Sequence, residues 1–119
     1  MKKPSKTTLR NKCDSLLTPI VKKLYPKCLL CNNETQVAHH HVHKSKSTRL
    51  RYEIDNLINL CGHCHVVLHC NESYWASRII DIKGIEWFRK LDKMKNETVK
   101  ADVIFYMNHY DRLKEILDK

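Results

Sequence analysis

Glycine and proline are scarce in this sequence, which has two glycines and three prolines among 119 residues. The apolar fraction of 42% and the charged fraction of 29% are ordinary for a globular protein and argue against general disorder. The sequence also lacks any apolar run near the ~20 residues that a membrane-spanning helix needs, so we expect no membrane partner. The basic N-terminus is followed by no apolar stretch, which predicts a cytoplasmic protein without a secretory signal. The length allows one domain over residues 1–119 and is too short for a Rossmann enzyme or a (β/α)₈ barrel.

Acidic residues are outnumbered by basic ones. The chain has 22 Lys and Arg against 13 Asp and Glu, which gives a formal net charge of +9 when the histidines are neutral. A compact basic domain attracts polyanions, and nucleic acid is the commonest of these. A basic surface that only keeps the protein soluble is the alternative interpretation.

Helical patterns precede and follow a central segment. In residues 5–25 the apolar residues recur at spacings of three and four, which predicts a helical face. Pro19 should interrupt that face, so we predict two short helices that meet at Thr18–Pro19. After the central segment, residues 71–118 again show helical periodicity.

Three C-terminal helices are expected in residues 71–118. Asn71 should cap a helix that ends at Gly84, and Ile85–Lys95 should form the next one. Asn96 should cap a last helix that continues through Asp118. The apolar stripe of this last helix fits a face packed on the core better than a dimer seam. The choice between a monomer and a dimer stays open.

The central segment, residues 28–70, holds five of the six cysteines and seven of the eight histidines. Two runs in it, Thr35–Val42 and Leu57–Leu60, are short and partly β-branched, and they read as strands. A polar, basic loop lies between them. Gly62–His69 follows as a helix, so the order is strand, loop, strand, helix.

Four of the cysteines form two Cys-x-x-Cys pairs, Cys28 with Cys31 and Cys61 with Cys64. Two intervening residues let a tight turn present both thiolates to one ion, and two such turns complete a tetrahedral zinc site. In a reducing compartment this pattern favours a structural Zn²⁺ over disulfides. Four protein ligands leave no open position, so we expect this ion to hold the frame rather than to perform chemistry.

Most of the histidines lie between or just after these pairs. His65 and His69 are four residues apart, which places them on one face of a helix, as two ligands of one metal would be. His39 and His40 are consecutive in a predicted strand, so their side chains should face opposite sides. One can then bind a metal while the other activates water. A site of three histidines with an open position is typical of a catalytic metal centre.

The run from His39-His40 through Asn56 to Cys61-Gly-His-Cys64-His65 and His69 resembles the HNH endonuclease family. The double histidine, the Asn-x₈-His spacing and the Cys-x-x-Cys-His junction carry the resemblance, over about residues 28–70. The layout with flanking helices is also similar to phage recombination endonucleases of the NinG (Rap) type. The resemblance implies an α+β fold. In it, residues 28–70 form a small ββα-metal (HNH) finger with a four-cysteine zinc site, flanked by the helices of residues 5–25 and 71–118.

The resemblance also implies roles for individual residues. His40 corresponds to the general base, Asn56 holds the loop beside it, and His39, His65 and His69 correspond to the ligands of a catalytic divalent metal. That metal could be Mg²⁺, Mn²⁺, Ni²⁺ or Zn²⁺. Because three histidines are consecutive, His40 and His41 are an alternative ligand and base pair. The products implied are 5′-phosphate and 3′-hydroxyl ends.

Basic residues flank the expected site and are candidates for nucleic-acid binding through phosphate contacts: Lys44, Lys46, Arg49 and Arg51. A solvated loop is the alternative for this cluster. With the resemblance, they predict a metal-dependent endonuclease that nicks or cleaves DNA, encoded by a phage and acting in recombination or DNA processing in the host cytoplasm. Two other functions explain part of the pattern: a non-catalytic zinc-finger DNA-binding module, and a protein-interaction adaptor that uses the C-terminal helices.

Overall fold

The N-terminal helix, α1, runs unbroken over Lys6–Leu24 in the computed structural model, which describes residues 4–119. The Ser5 hydroxyl caps its start by accepting a hydrogen bond from the Thr8 backbone N–H at 3.1 Å. The predicted division into two helices at Pro19 is wrong. Pro19 removes one backbone donor, but Leu17 before it and Ile20 after it are buried in the same core cluster, and that packing holds the helix together.

The C-terminal helix, α5 (Val103–Asp118), lies beside α1 and runs in the same direction. The Cys13 thiol donates a hydrogen bond to the Tyr106 carbonyl at 3.3 Å. Further along both helices, Lys23 Nζ donates to the Leu117 carbonyl at 2.8 Å and so caps the end of α5. The predicted core-facing stripe of this helix is confirmed, since Tyr106 and Leu113 are buried against α1.

Two four-residue strands, β1 (Val37–His40) and β2 (Leu57–Leu60), pair in antiparallel fashion. Side chains alternate along β2, so its two faces meet different partners. Leu57 packs into the core formed by α1 and α5, whereas Ile58 belongs to a second apolar cluster on the other face. Because both faces are covered, every residue of β2 is buried.

Three helices follow β2: α2 (Gly62–Cys70), α3 (Glu72–Lys83) and α4 (Ile85–Lys95). The Asn71 side chain caps α3 by accepting from the Tyr74 backbone N–H at 3.4 Å. Gly84 joins α3 to α4 with a φ of 100°, a value that glycine adopts without strain. The predictions for these three helices are confirmed. Of the helices in residues 4–119, none has both the length and the apolar character to cross a membrane.

The expected α+β class is confirmed by five helices and one two-stranded sheet in the described part of the chain. The predicted start of the last helix at Asn96 is wrong. Asn96 is the final residue of the turn that ends α4, and its Nδ2 donates back to the Asp92 carbonyl at 3.3 Å. Asp102 caps α5 instead, by accepting from the Phe105 backbone N–H at 2.9 Å. The first strand is also shorter than the predicted Thr35–Val42, because β2 offers it only four partners.

We predict that Leu113→Ala lowers the free energy of unfolding by about 2–5 kcal/mol, since it leaves a cavity where α1 and α5 meet. Ile104→Ala on the same helix is the matched control. Leu113 is 0% exposed and Ile104 is 66% exposed, so the control should change stability by less than ~0.5 kcal/mol. Urea unfolding followed by circular dichroism measures both. Equal losses for the two variants would contradict the packing of α1 on α5.

Candidate metal centres

Four cysteines from two separate parts of the chain converge at one end of the sheet. Cys28 and Cys31 lie in a tight turn before β1, closed by a hydrogen bond from the Asn32 N–H to the Cys28 carbonyl at 3.0 Å. Asn32 has a φ of 65°, the left-handed conformation that asparagine tolerates better than most residues. Cys61 is the N-cap of α2, and Cys64 lies in the first turn of that helix.

The four sulfur atoms lie within 4.8 Å of one another, and the Sγ atoms of Cys31 and Cys61 are 3.5 Å apart. They are therefore positioned to bind a structural metal ion, and a set of four thiolates suits zinc. Burial and the neighbouring thiols raise the pKa of Cys64. Burial acts in the same direction on Cys28, but nearby backbone N–H groups outweigh it and lower the pKa of that thiol to about 7.

A second cluster consists of three histidines on the face of the sheet that α2 covers. His39 of β1, which is buried, meets His65 and His69 of α2, and one ring nitrogen of each lies within 4.8 Å of the others. The Nε2 atoms of His65 and His69 are 2.9 Å apart. Burial and the neighbouring His65 and His69 lower the pKa of His39 to about 3. His39 is thus neutral near pH 7, which is the form that binds metals.

His40 lies on the opposite side of β1 but at the end of the strand, where it reaches the same cleft. The cleft is open, has a volume of about 240 Å³, and is lined by Ala38, His39, His40, His43, Lys44, His65 and His69. His40 Nε2 is 2.9 Å from the Arg51 carbonyl oxygen. A carbonyl only accepts hydrogen bonds, so Nε2 carries the proton and Nδ1 keeps a lone pair. Burial lowers the pKa of His40, against a smaller opposing effect of the Arg51 carbonyl.

His41, the alternative base, has different surroundings. Its ring lies 4.8 Å from the ring of Trp87 in α4. Burial lowers the pKa of His41, and the nearby His43 acts in the same direction. The structure therefore brings His39 together with His65 and His69, places His40 on the same cleft, and packs His41 against α4.

Asn56 is fully buried and ties the loop between the strands to the start of β2. Its Oδ1 accepts from the Val42 backbone N–H at 2.8 Å, and its Nδ2 donates to the carbonyls of Val42 and Leu50 at 3.0 and 3.2 Å. These bonds fix the chain just after the three histidines and just before Arg51. Asn56 thus holds the backbone on both sides of the His40 pocket through its bonds to Val42 and Leu50.

Arg51 is drawn into the protein rather than into solvent. Its Nε and Nη2 donate to the two carboxylate oxygens of Asp14 in α1, at 3.0 and 2.6 Å. The Tyr52 hydroxyl donates to the same carboxylate at 2.9 Å. The hydrogen bond to Asp14 raises the pKa of Arg51. Because this pair anchors residue 51, it also fixes the carbonyl that accepts the hydrogen bond from His40 Nε2.

The other three candidate nucleic-acid residues differ in exposure and in their ion-pair partners. Arg49 lies 3.4 Å from a Glu53 carboxylate oxygen and 3.7 Å from one of Glu97. Lys44 and Lys46 are exposed, and Lys44 lines the histidine cleft. The two lysines are thus better placed than the two arginines to meet a phosphate backbone.

Two acidic residues that contact the site, Asp14 and Glu72, were not identified from the sequence. Asp14 is far from the cleft along the chain, and no local pattern marks it. Glu72 lies 3.2 Å from a ring nitrogen of His69, and its spacing of three residues after His69 is a signal that could have found it.

A scan against protein-family models, a search of curated proteins and a search of solved structures each found no match to this chain. The two clusters are therefore interpreted from their own geometry.

We predict that Cys31→Ser abolishes binding of a structural metal ion at the four-cysteine cluster and lowers the unfolding temperature by roughly 10 °C or more. Cys31 is exposed, so the substitution disturbs little packing, and the loss should come from the missing ligand. Cys70→Ser is the matched control, because Cys70 is exposed and lies outside the four-cysteine cluster. Atomic absorption gives the metal content and calorimetry gives the unfolding temperature. A Cys31→Ser protein with unchanged metal content and unfolding temperature would show that these cysteines do not hold a structural ion.

Proposed function

We propose that this protein is a metal-dependent endonuclease of the HNH type that hydrolyses DNA phosphodiester bonds. One observation carries the proposal: three imidazoles that lie close enough together to hold a metal ion share one open cleft with a fourth imidazole, whose Nδ1 keeps a lone pair. A structural metal site has four protein ligands and no open position, so an open position beside an imidazole nitrogen with a lone pair is typical of a catalytic site. The net charge of +9 and the exposed Lys44 at the cleft suit a polyanionic substrate.

His39, His65 and His69 fit a divalent metal ion because they are close together, and burial lowers the pKa of the first two. When bound, such an ion would stabilise the negative charge that develops on the scissile phosphate and on the leaving oxygen. An all-nitrogen donor set favours later transition metals such as Ni²⁺ and Zn²⁺, whereas Mg²⁺ prefers oxygen ligands.

His40 is the proposed general base. Its Nε2–H is held by the Arg51 carbonyl, so Nδ1 is the atom that can take a proton from the attacking water. The bond fixes the tautomer as well as the ring orientation, in the way a carboxylate does for other catalytic histidines. Lys44, on the rim of the same cleft, positions the phosphate backbone. The proposed part in phage recombination rests only on the resemblance in sequence layout, that is, residues 28–70 together with the helices on either side of them.

The proposed function is tested by cleavage of supercoiled plasmid by zinc-loaded protein, with Mg²⁺, Mn²⁺ or Ni²⁺ added and with no added metal. Metal-dependent conversion to nicked or linear DNA supports the endonuclease. The four-cysteine cluster and the charge also fit a non-catalytic zinc-finger module, which would bind DNA in a salt-sensitive way and leave both plasmid and branched DNA uncut.

We predict that His40→Ala lowers the cleavage rate by about 10²–10⁴-fold, the usual contribution of a general base. Metal content and DNA affinity should stay near those of the wild type. His41→Ala is the matched control and should keep the rate within a few-fold, because His41 packs against Trp87 instead of lining the cleft. The opposite result, with cleavage lost in His41→Ala and kept in His40→Ala, would transfer the base to His41.

A further inference from the structure

We infer that Glu72 is a positioning residue of the histidine centre, whose carboxylate orients His69 and raises the affinity of the cluster for a divalent ion. This inference rests on the proposed function, because it concerns the same metal centre. Glu72 is not part of the HNH pattern in residues 28–70.

The contact follows from the break between α2 and α3. His69 lies in the last turn of α2, Asn71 interrupts the helix, and Glu72 begins α3. This short turn returns Glu72 to the His69 ring, where its Oε1 lies 3.2 Å from Nδ1. The same oxygen lies 3.2 Å from Nε2 of His43, which follows β1. One carboxylate therefore contacts two histidines, His43 after β1 and His69 on α2.

The contacts of the two ring nitrogens of His69 indicate how Glu72 affects this residue. The Nε2 atom of His69 faces His65, whereas Nδ1 faces the carboxylate. A carboxylate at Nδ1 favours the tautomer with the proton on that atom, which leaves the Nε2 lone pair free for a metal. A carboxylate on the outer nitrogen of a ligating histidine also makes the inner nitrogen a stronger ligand.

Glu72 and His39, the third histidine of the cluster, line one small cavity. It has a volume of about 30 Å³ and is lined by His39, His41, His43 and Glu72, with Leu68, Ala76 and Ile79. Glu72 thus lines this cavity together with His39 and also contacts the ring of His69. Its side chain is 46% exposed, so a simple ion pair there would contribute little, and we expect its effect to come from orienting His69.

The test is a calorimetric titration of Ni²⁺ into protein whose four-cysteine site is already loaded with zinc. We expect Glu72→Ala to weaken Ni²⁺ binding by about 10–100-fold, the usual effect of removing such a carboxylate. Glu72→Gln keeps an acceptor oxygen, so the Ni²⁺ affinity of this variant should lie between those of the wild type and Glu72→Ala. Nitrogen-15 NMR of the imidazoles gives an independent readout: the fraction of His69 protonated on Nδ1 should fall in Glu72→Ala.

Glu86→Ala is the matched control. Glu86 lies in the first turn of α4 as Glu72 does in α3, so both substitutions remove the same favourable charge from a helix N-terminus. Glu86 contacts Arg89 and no histidine, so Ni²⁺ affinity should not change.

Three outcomes overturn the inference. In the first, Glu72→Ala keeps its Ni²⁺ affinity within about twofold of the wild type while His69→Ala loses binding. That result would show that Glu72 has no role at the metal centre, and the centre itself would stand. Equal weakening by Glu72→Ala and Glu86→Ala assigns the effect to helix stability. Failure of the zinc-loaded wild type to bind Ni²⁺ at all overturns both this inference and the proposed function.

Discussion

Alternation along a strand places consecutive side chains on opposite faces of the sheet, and the rest of the site depends on this constraint. β1 and β2 have four residues each, too few for an independently stable sheet. The core of α1 and α5 covers one face, and the cluster around Ile58 and the cysteines covers the other. With both faces packed, the sheet can hold His39 towards α2 and His40 away from it.

In the proposed function, the four-cysteine cluster supports the fold and the histidine cluster holds the catalytic metal ion. The four cysteines join the turn before β1 to the start of α2, and this fixes α2 relative to the strand that carries His39. The position of α2 then determines where His65 and His69 meet His39. On the other face, the Asp14–Arg51 pair and the three hydrogen bonds of Asn56 fix the loop whose carbonyl holds His40. A structural metal site and a buried polar network thus support a cleft that stays open.

Local signals in the sequence were enough for β2 and for α2 to α4. Cys-x-x-Cys and His-x₃-His spacings act over a single turn, so they were also enough for each cysteine pair and for His65 with His69. The choice of His39 as the third histidine came from the resemblance of residues 28–70 to a known family. The break at Pro19 was predicted wrongly because packing against α5 outweighs one missing hydrogen bond. Asn96 and Asp102 are both good caps, and local preference could not choose between them. The ion pair of Arg51 with Asp14 joins residues 37 positions apart, so the sequence suggested a phosphate contact where the structure has an internal anchor.

The central claim is that one small fold holds two unlike metal centres, one closed and one open. X-ray absorption spectroscopy on protein loaded with zinc and then with one equivalent of Ni²⁺ tests it most directly, because each edge reports the neighbours of one element. The account predicts four sulfur atoms at about 2.3 Å around zinc, and only nitrogen and oxygen neighbours around nickel. Sulfur around nickel, or no specifically bound nickel, would contradict it.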